Sequence, residues 1–181
     1  MRGKGSTYVL IGLVAVLLLA ALVSLNLGGH KGGEGTSADA SMPVEGALAP
    51  DFQLNTLSGE TIKLSQFRGK KLILTFWGLS CPSCRMELPH LDEIAASKEA
   101  VVITVVIGDP LSVRAYFQRH PYFRGRMPNF IVALDPRGEV FRAYKIRFTP
   151  TNFFINSRGY IVKVAIGALP TEHIKKVITN I

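Results

Sequence analysis

The stretch Lys71-Leu-Ile-Leu-Thr-Phe-Trp77-Gly-Leu-Ser-Cys81-Pro-Ser-Cys84 decides how this chain is read. Lys71 to Trp77 is β-rich and mostly apolar, as a strand buried on both faces should be. Pro82 to Lys98 follows as a helix, with Leu88, Leu91, Ile94 and Ala95 at helical spacing on one face. The chain's two cysteines, three residues apart, sit where strand gives way to helix. Proline suits a first helical turn, where its missing N–H has no partner to lose. The unpaired N–H groups and the dipole of that turn favour an anion, so Cys81 is expected to carry the depressed pKa and the attacking thiolate. An ordinary thiol, with pKa about 8.5, is only about 3% ionised at pH 7, whereas a pKa of about 7 makes half of it reactive. Cys84, one turn further in, is the expected resolving thiol.

Other chemistries fit this pair less well. A zinc site needs two more ligands, and His90, His120 and His173 are widely spaced. A disulfide closing so small a loop stabilises little, so a purely structural role is weak. No metal or cofactor is expected.

Outward from the pair, the domain alternates strands and helices. Phe52 to Leu64 reads as a small hairpin around Ser58-Gly59, and Val101 to Ile107 as a second buried strand. Leu111 to His120 is expected to be helical, with Val113 and Phe117 inward. Asn129 to Leu134 is a short strand and Gly138 to Tyr144 a short helix. Asn152 to Asn156 and Tyr160 to Ile166 flank a Ser157-Arg158-Gly159 turn, and Pro170 to Ile181 closes with a helix. The order implies an α/β fold with a mixed sheet and helices on both faces.

Tyr8 to Leu27 carries no charge over 20 residues. As a helix it spans about 30 Å, the thickness of a bilayer core. It is longer than the apolar region of a cleaved signal peptide, so an uncleaved anchor is expected. Arg2 and Lys4 precede it, which places residues 1–7 in the cytoplasm and the remainder outside, where disulfides form and break. Residues 28–46, rich in Gly, Ser and Ala, read as a flexible linker, and residues 47–181 as one domain. A domain of that size buries enough surface to fold without a disulfide scaffold.

The net charge is +8, from 21 basic and 13 acidic residues. The basic residues are scattered, densest from Arg137 to Arg147, and no stripe interleaves them with stacking aromatics. Nucleic acid is therefore not an expected partner, and solvated surface charge is the reading of these residues.

Ala49-Pro-Asp-Phe52, Leu64-Ser-Gln-Phe-Arg-Gly-Lys70, Phe76-Trp77, Cys81-Pro-Ser-Cys84, Glu87, Pro89 and Thr149-Pro-Thr151 occur in that order. From about Ala47 onward the chain resembles the membrane-anchored thioredoxin-like proteins of the TlpA/ResA family. The resemblance implies a thioredoxin-like domain with an N-terminal β-hairpin, behind one transmembrane helix. It implies an extracytoplasmic thiol–disulfide oxidoreductase with Cys81, Cys84 and Glu87 as catalytic residues. Thr149, Pro150 and Trp77 are the implied substrate contacts. Pro150 falls at the family's cis-proline, which would turn the Thr149 backbone toward the sulfurs to pair with an extended substrate. Glu87, one turn beyond Cys84, would exchange protons with that thiol, and Pro89 matches the family's kink proline. The implied partners are a cysteine-containing exported protein, such as an apocytochrome c, and a membrane thiol donor; the domain is expected to be monomeric.

The sequence departs from the family in places. Ser80 stands where the family usually has a second tryptophan, the dipeptide between the cysteines is Pro-Ser, and Thr75 replaces the buried aspartate of thioredoxin itself. The redox poise therefore does not carry over, and an oxidant that introduces disulfides is the opposite possibility. A maturation factor or chaperone of the kind serving methylamine dehydrogenase is a non-catalytic alternative. Peroxidases share the Ala-Pro-Asp-Phe opening, but their Pro-x-x-x-Thr-x-x-Cys pattern would need Leu74 and Gly78 to be proline and threonine.

Overall fold

In the computed structural model, residues 42–181 are described. The expected anchor Tyr8–Leu27 and most of the linker lie outside them. Among the described residues no helix is long and apolar enough to cross a membrane.

Seven strands form one sheet: β1 (Gln53–Thr56), β2 (Thr61–Lys63), β3 (Leu72–Trp77), β4 (Val101–Val106), β5 (Ile131–Leu134), β6 (Thr151–Ile155) and β7 (Ile161–Ile166). Their order across the sheet is β2-β1-β5-β4-β3-β6-β7. The three central strands β5, β4 and β3 are parallel, and the flanking pairings are antiparallel. The helices are α1 (Pro82–Ser97), α2 (Pro110–Arg119), α3 (Glu139–Ala143) and α4 (Thr171–Thr179). Among the described residues, each strand and helix expected from the sequence is present within a few residues. The hairpin β1–β2 joins the sheet through β5, a long-range pairing that local pattern does not reveal.

All six residues of β3 are buried, because the strand lies at the middle of the sheet with a core packed against each face. Its side chains alternate between two cores. Ile73 and Trp77 meet Leu88, Leu91 and Ile94 of α1, Val113 and Phe117 of α2, and Ile174 and Ile178 of α4. Leu72, Leu74 and Phe76 meet Phe52, Ile62, Val140, Tyr144 and Phe153. The β3–α1–β4 and β4–α2–β5 crossovers step the same way across the sheet, so their right-handedness puts both helices on one face.

Ordered contacts begin before Ala47. Glu45 accepts from the Val164 N–H at 3.0 Å, and the Gly46 N–H donates to the Ile161 carbonyl at 2.7 Å. The tether expected to reach Gly46 thus gives way to structure at Met42–Glu45.

The connection from α2 to β5 is held by one buried carboxylate. Asp92, on α1, accepts from the Asn129 N–H at 2.6 Å, from Arg126 at 2.6 Å and from the Tyr122 hydroxyl at 3.2 Å. Phe123 of this connection packs edge-on against Phe117, with ring centroids 5.0 Å apart. Removing the acceptor breaks three hydrogen bonds to a carboxylate that is itself buried. Asp92→Ala is expected to cost about 3 kcal/mol, read as a lower urea midpoint with an unchanged slope. A midpoint within error of wild type would show that the clamp contributes nothing.

Candidate active site

The Trp77–Cys81 segment leaves β3 at the carboxyl end of the parallel strands, where open α/β sheets bind ligands. Cys81 is the N-cap of α1, extended at φ −86° and ψ 112°, and Pro82 takes the first helical position. The Cys84 N–H donates to Cys81 Sγ at 3.2 Å, so this sulfur occupies the place of a capping oxygen. Ser83 Oγ lies 3.4 Å from the same sulfur. The two cysteines form a disulfide with Cα atoms 5.3 Å apart. Cys81 is partly exposed, whereas Cys84 is buried in the core.

The antiparallel pairing of β3 with β6 sets Phe76 opposite Thr151. Carried two residues further, that register brings Thr149 opposite Gly78 and onto the disulfide. The Thr149–Pro150 bond is cis, and the Thr149 carbonyl oxygen lies 3.4 Å from Cys81 Sγ. Phe148, one residue earlier, is 65% exposed.

Glu87 is 1% exposed, which only a partnered or neutral carboxyl tolerates. Its Oε1 accepts from Asn152 Nδ2 at 2.8 Å and from the Leu169 N–H at 2.9 Å. Asn152 is itself fixed by the Thr75 hydroxyl, which donates to its Oδ1 at 2.6 Å. Oε2 is buried without a protein partner. Burial pushes the Glu87 pKa up to about 7, against the two donated hydrogen bonds that hold it down. Spacing on α1 brings this carboxyl to the same face as Cys84, one turn away.

Trp77 does not fit as a substrate contact. Its side chain is 0% exposed and lies against Tyr116 and Phe117, with ring centroids 5.0 and 5.9 Å away. The alternation of β3 turns it inward beneath α2, so it forms a wall under the site. Ser80 and Pro82, which flank Cys81, are exposed, as is Phe148 next to Thr149.

Sequence reasoning also missed Asn152 and His120. Asn152 was visible as a lone amide in the apolar strand Thr151–Ile155. The signal for His120 is Pro89. A proline inside α1 has no N–H for the Arg85 carbonyl, four residues back. His120 Nε2 lies 3.0 Å from that carbonyl, and its Nδ1 accepts from the Tyr122 N–H at 3.2 Å. This pair of bonds selects the neutral tautomer with the proton on Nε2. Burial lowers the His120 pKa in the same sense. His120 also lines an open groove of about 650 Å³ beside Cys81, with Leu79, Arg85, Ser112, Tyr116 and Arg119.

Residues 46–164 match the AhpC/TSA family. The chain is 33% identical to the thiol-disulfide oxidoreductase ResA of Halalkalibacterium halodurans, over 88% of this chain and 89% of that one. It is 30% identical to ResA of Bacillus subtilis, over 93% and 89% of the two chains. Among solved structures it resembles a putative thiol:disulfide interchange protein DsbE of Chlorobium tepidum. There the identity is 27% and the TM-score 0.67, covering 76% of this chain and 97% of that one. It also resembles the exposed lipoprotein thioredoxin of Streptococcus pneumoniae, at 30% identity and a TM-score of 0.62, covering 73% of this chain and 100% of that one. The chain belongs to the AhpC/TSA family and is a thiol–disulfide oxidoreductase with a thioredoxin-like fold.

Proposed function

We propose that the protein is tethered by Tyr8–Leu27 and reduces disulfides of exported proteins outside the cytoplasm, with Cys81 as nucleophile and Cys84 as resolving thiol. The observation that carries this reading is the asymmetry of the pair. The partly exposed Cys81 sulfur caps α1 and faces the Thr149 carbonyl, while Cys84 is buried. In the dithiol form, the Cys81 thiolate attacks one sulfur of the substrate disulfide and the other leaves as a thiolate. The Cys84 thiolate then attacks Cys81 Sγ and releases the second substrate sulfur. Two electrons and two protons pass to the substrate, and the Cys81–Cys84 disulfide forms. An external dithiol at the membrane restores the reduced pair. The Thr149 backbone, turned toward the sulfurs by the cis bond, offers an extended substrate a strand-like partner. The likeness to TlpA/ResA proteins supports apocytochrome c as such a substrate.

Glu87 supplies the proton balance for Cys84. As a carboxylate it takes the Cys84 proton before resolution; as an acid it returns one when the disulfide is reduced. Its pKa of about 7 suits both directions near neutral pH.

A Cys84→Ser variant is expected to accumulate mixed disulfides through Cys81 in intact cells, and mass spectrometry of the captured proteins names the substrate. A variant that traps nothing would refute Cys81 as the exchanging thiol. The couple's reduction potential reads the direction: about −270 mV fits a reductant, and about −120 mV would assign the protein to disulfide formation instead.

Glu87→Gln is expected to slow disulfide resolution on the order of 100-fold and to remove a rate inflection near pH 7. The same residue makes a stability prediction. Below the ordinary carboxylate value of 4.5 the group is neutral whether folded or unfolded. Between there and about 7 the unfolded chain releases the proton and the folded one keeps it, so stability falls as pH rises; above about 7 the loss is constant. The difference amounts to about 3 kcal/mol. Urea unfolding of the wild type should show this decline and the Gln variant should lack it; superimposable profiles would mean that Glu87 ionises normally.

A further inference from the structure

We infer that a basic groove beside the cis-proline loop selects substrates whose redox cysteine is flanked by acidic residues. This deepens the exchange reading above and rests on it.

The groove is an open cavity of about 560 Å³. Ile107, Phe141 and Ile146 contribute its apolar lining, and four cations, Arg137, Arg142, Lys145 and Arg147, line it as well. All four are exposed. Arg137 is paired with Glu139 at 2.8 Å. Among the described residues Arg142, Lys145 and Arg147 have no carboxylate partner within 4.0 Å. The one other nearby acid, Asp135, is buried and occupied in accepting the Glu139 and Phe141 N–H groups at 2.8 and 2.9 Å. A merely solvated surface intersperses charges of both signs. Here one sign converges on an apolar-floored groove, and such a groove focuses its field on whatever enters.

Its position ties it to the chemistry. Trp77 pairs with Val106, and Val106 with Leu134, so β3, β4 and β5 end side by side. The disulfide lies beyond the end of β3. Ile107 and Pro136–Gly138 lie beyond β4 and β5, and a Cβ at Gly138 would meet Ile107 Cδ1 at 3.2 Å. The wall nearest the sulfur is the chain itself. Arg147 is two residues from Thr149, whose carbonyl lies 3.4 Å from Cys81 Sγ. Two residues of backbone span at most about 7 Å. A substrate strand that pairs with the Thr149 backbone therefore passes Phe148 and reaches Arg147 within two or three residues of its own cysteine. Apolar contact at Phe148 and carboxylates beyond it match what the surface presents.

Lys145 allows the charge to be removed without disturbing the turn. α3 ends with the Lys145 N–H bonded to the Arg142 carbonyl and the Ile146 N–H to that of Phe141, both at 3.0 Å, and Lys145 at φ 53°. Glycine takes that left-handed position without strain, so Lys145→Gly preserves the backbone.

The test uses the full chain in a non-ionic detergent. Two short fluorescent peptides carry an S-methylated cysteine, flanked by glutamates in one and by lysines in the other, so that binding is read by anisotropy without exchange. The acidic peptide is expected to bind about tenfold tighter at low salt, with the preference shrinking as salt rises. The triple variant Arg142→Gln, Lys145→Gly, Arg147→Gln should lose the preference at an unchanged urea midpoint; if it unfolds, Lys145→Gly alone should reduce it. Equal affinities, or a preference that survives these changes, overturn the inference. So does groove-dependent binding of phosphatidylglycerol vesicles in place of either peptide, which would assign the cations to a lipid surface. Failure of the reduced protein to exchange with unblocked disulfide peptides of either charge, while the acidic preference persists, would instead overturn the exchange reading and leave the groove's selectivity standing.

Discussion

The pairing of β3 with β6 decides where chemistry can occur in this molecule. Phe76 opposite Thr151 is a register buried on both faces, and a one-residue slip would turn every side chain of either strand into the wrong core. That register carries the Thr149 carbonyl to Cys81 and brings Asn152 alongside Thr75. The Cys81 sulfur is thus positioned from two sides: by the start of α1, which follows β3, and by the loop that precedes β6. Neither contact requires a side chain to reach across the site.

The same pairing builds the buried polar chain below the disulfide. Thr75 from β3, Asn152 from β6, Glu87 from α1 and the backbone of Leu169 before α4 converge on one carboxyl group. Thioredoxin's aspartate would stand at Thr75; here the acid approaches from the helix instead. The strand contributes a hydroxyl that holds an amide, and the amide holds the acid. Desolvation outweighs the donated hydrogen bonds, so the carboxyl rests near neutrality. A charged carboxylate at this depth costs stability, and the fold tolerates it next to the cysteine pair.

Much of this was legible in the sequence because the signals were local. The apolar run Leu72–Trp77 and the proline after Cys81 mark the strand, the helix start and the capping sulfur between them. The resemblance carried by Thr149-Pro150-Thr151 pointed to the loop that faces the sulfur. What escaped was non-local. Trp77 looked like a contact surface because a motif says which residues are neighbours in sequence, not which core they enter. Asn152 gains its meaning only from Glu87, sixty-five residues earlier. The Asp92 clamp depends on donors from Tyr122, Arg126 and Asn129 in a connection with no periodicity of its own. The cations between Arg137 and Arg147 read as dispersed surface charge until a short helix and a left-handed turn gathered them around one groove.

The exchange of partners at Arg85 has a consequence for how portable this helix is. Pro89 withdraws an internal donor and His120, thirty-five residues from Arg85, replaces it. The cysteine-bearing helix is therefore not a self-sufficient cassette. Transplanted into another scaffold without the segment that bears the imidazole, it would carry an open acceptor one residue from its second cysteine. The two positions make up a single structural unit, split across the chain.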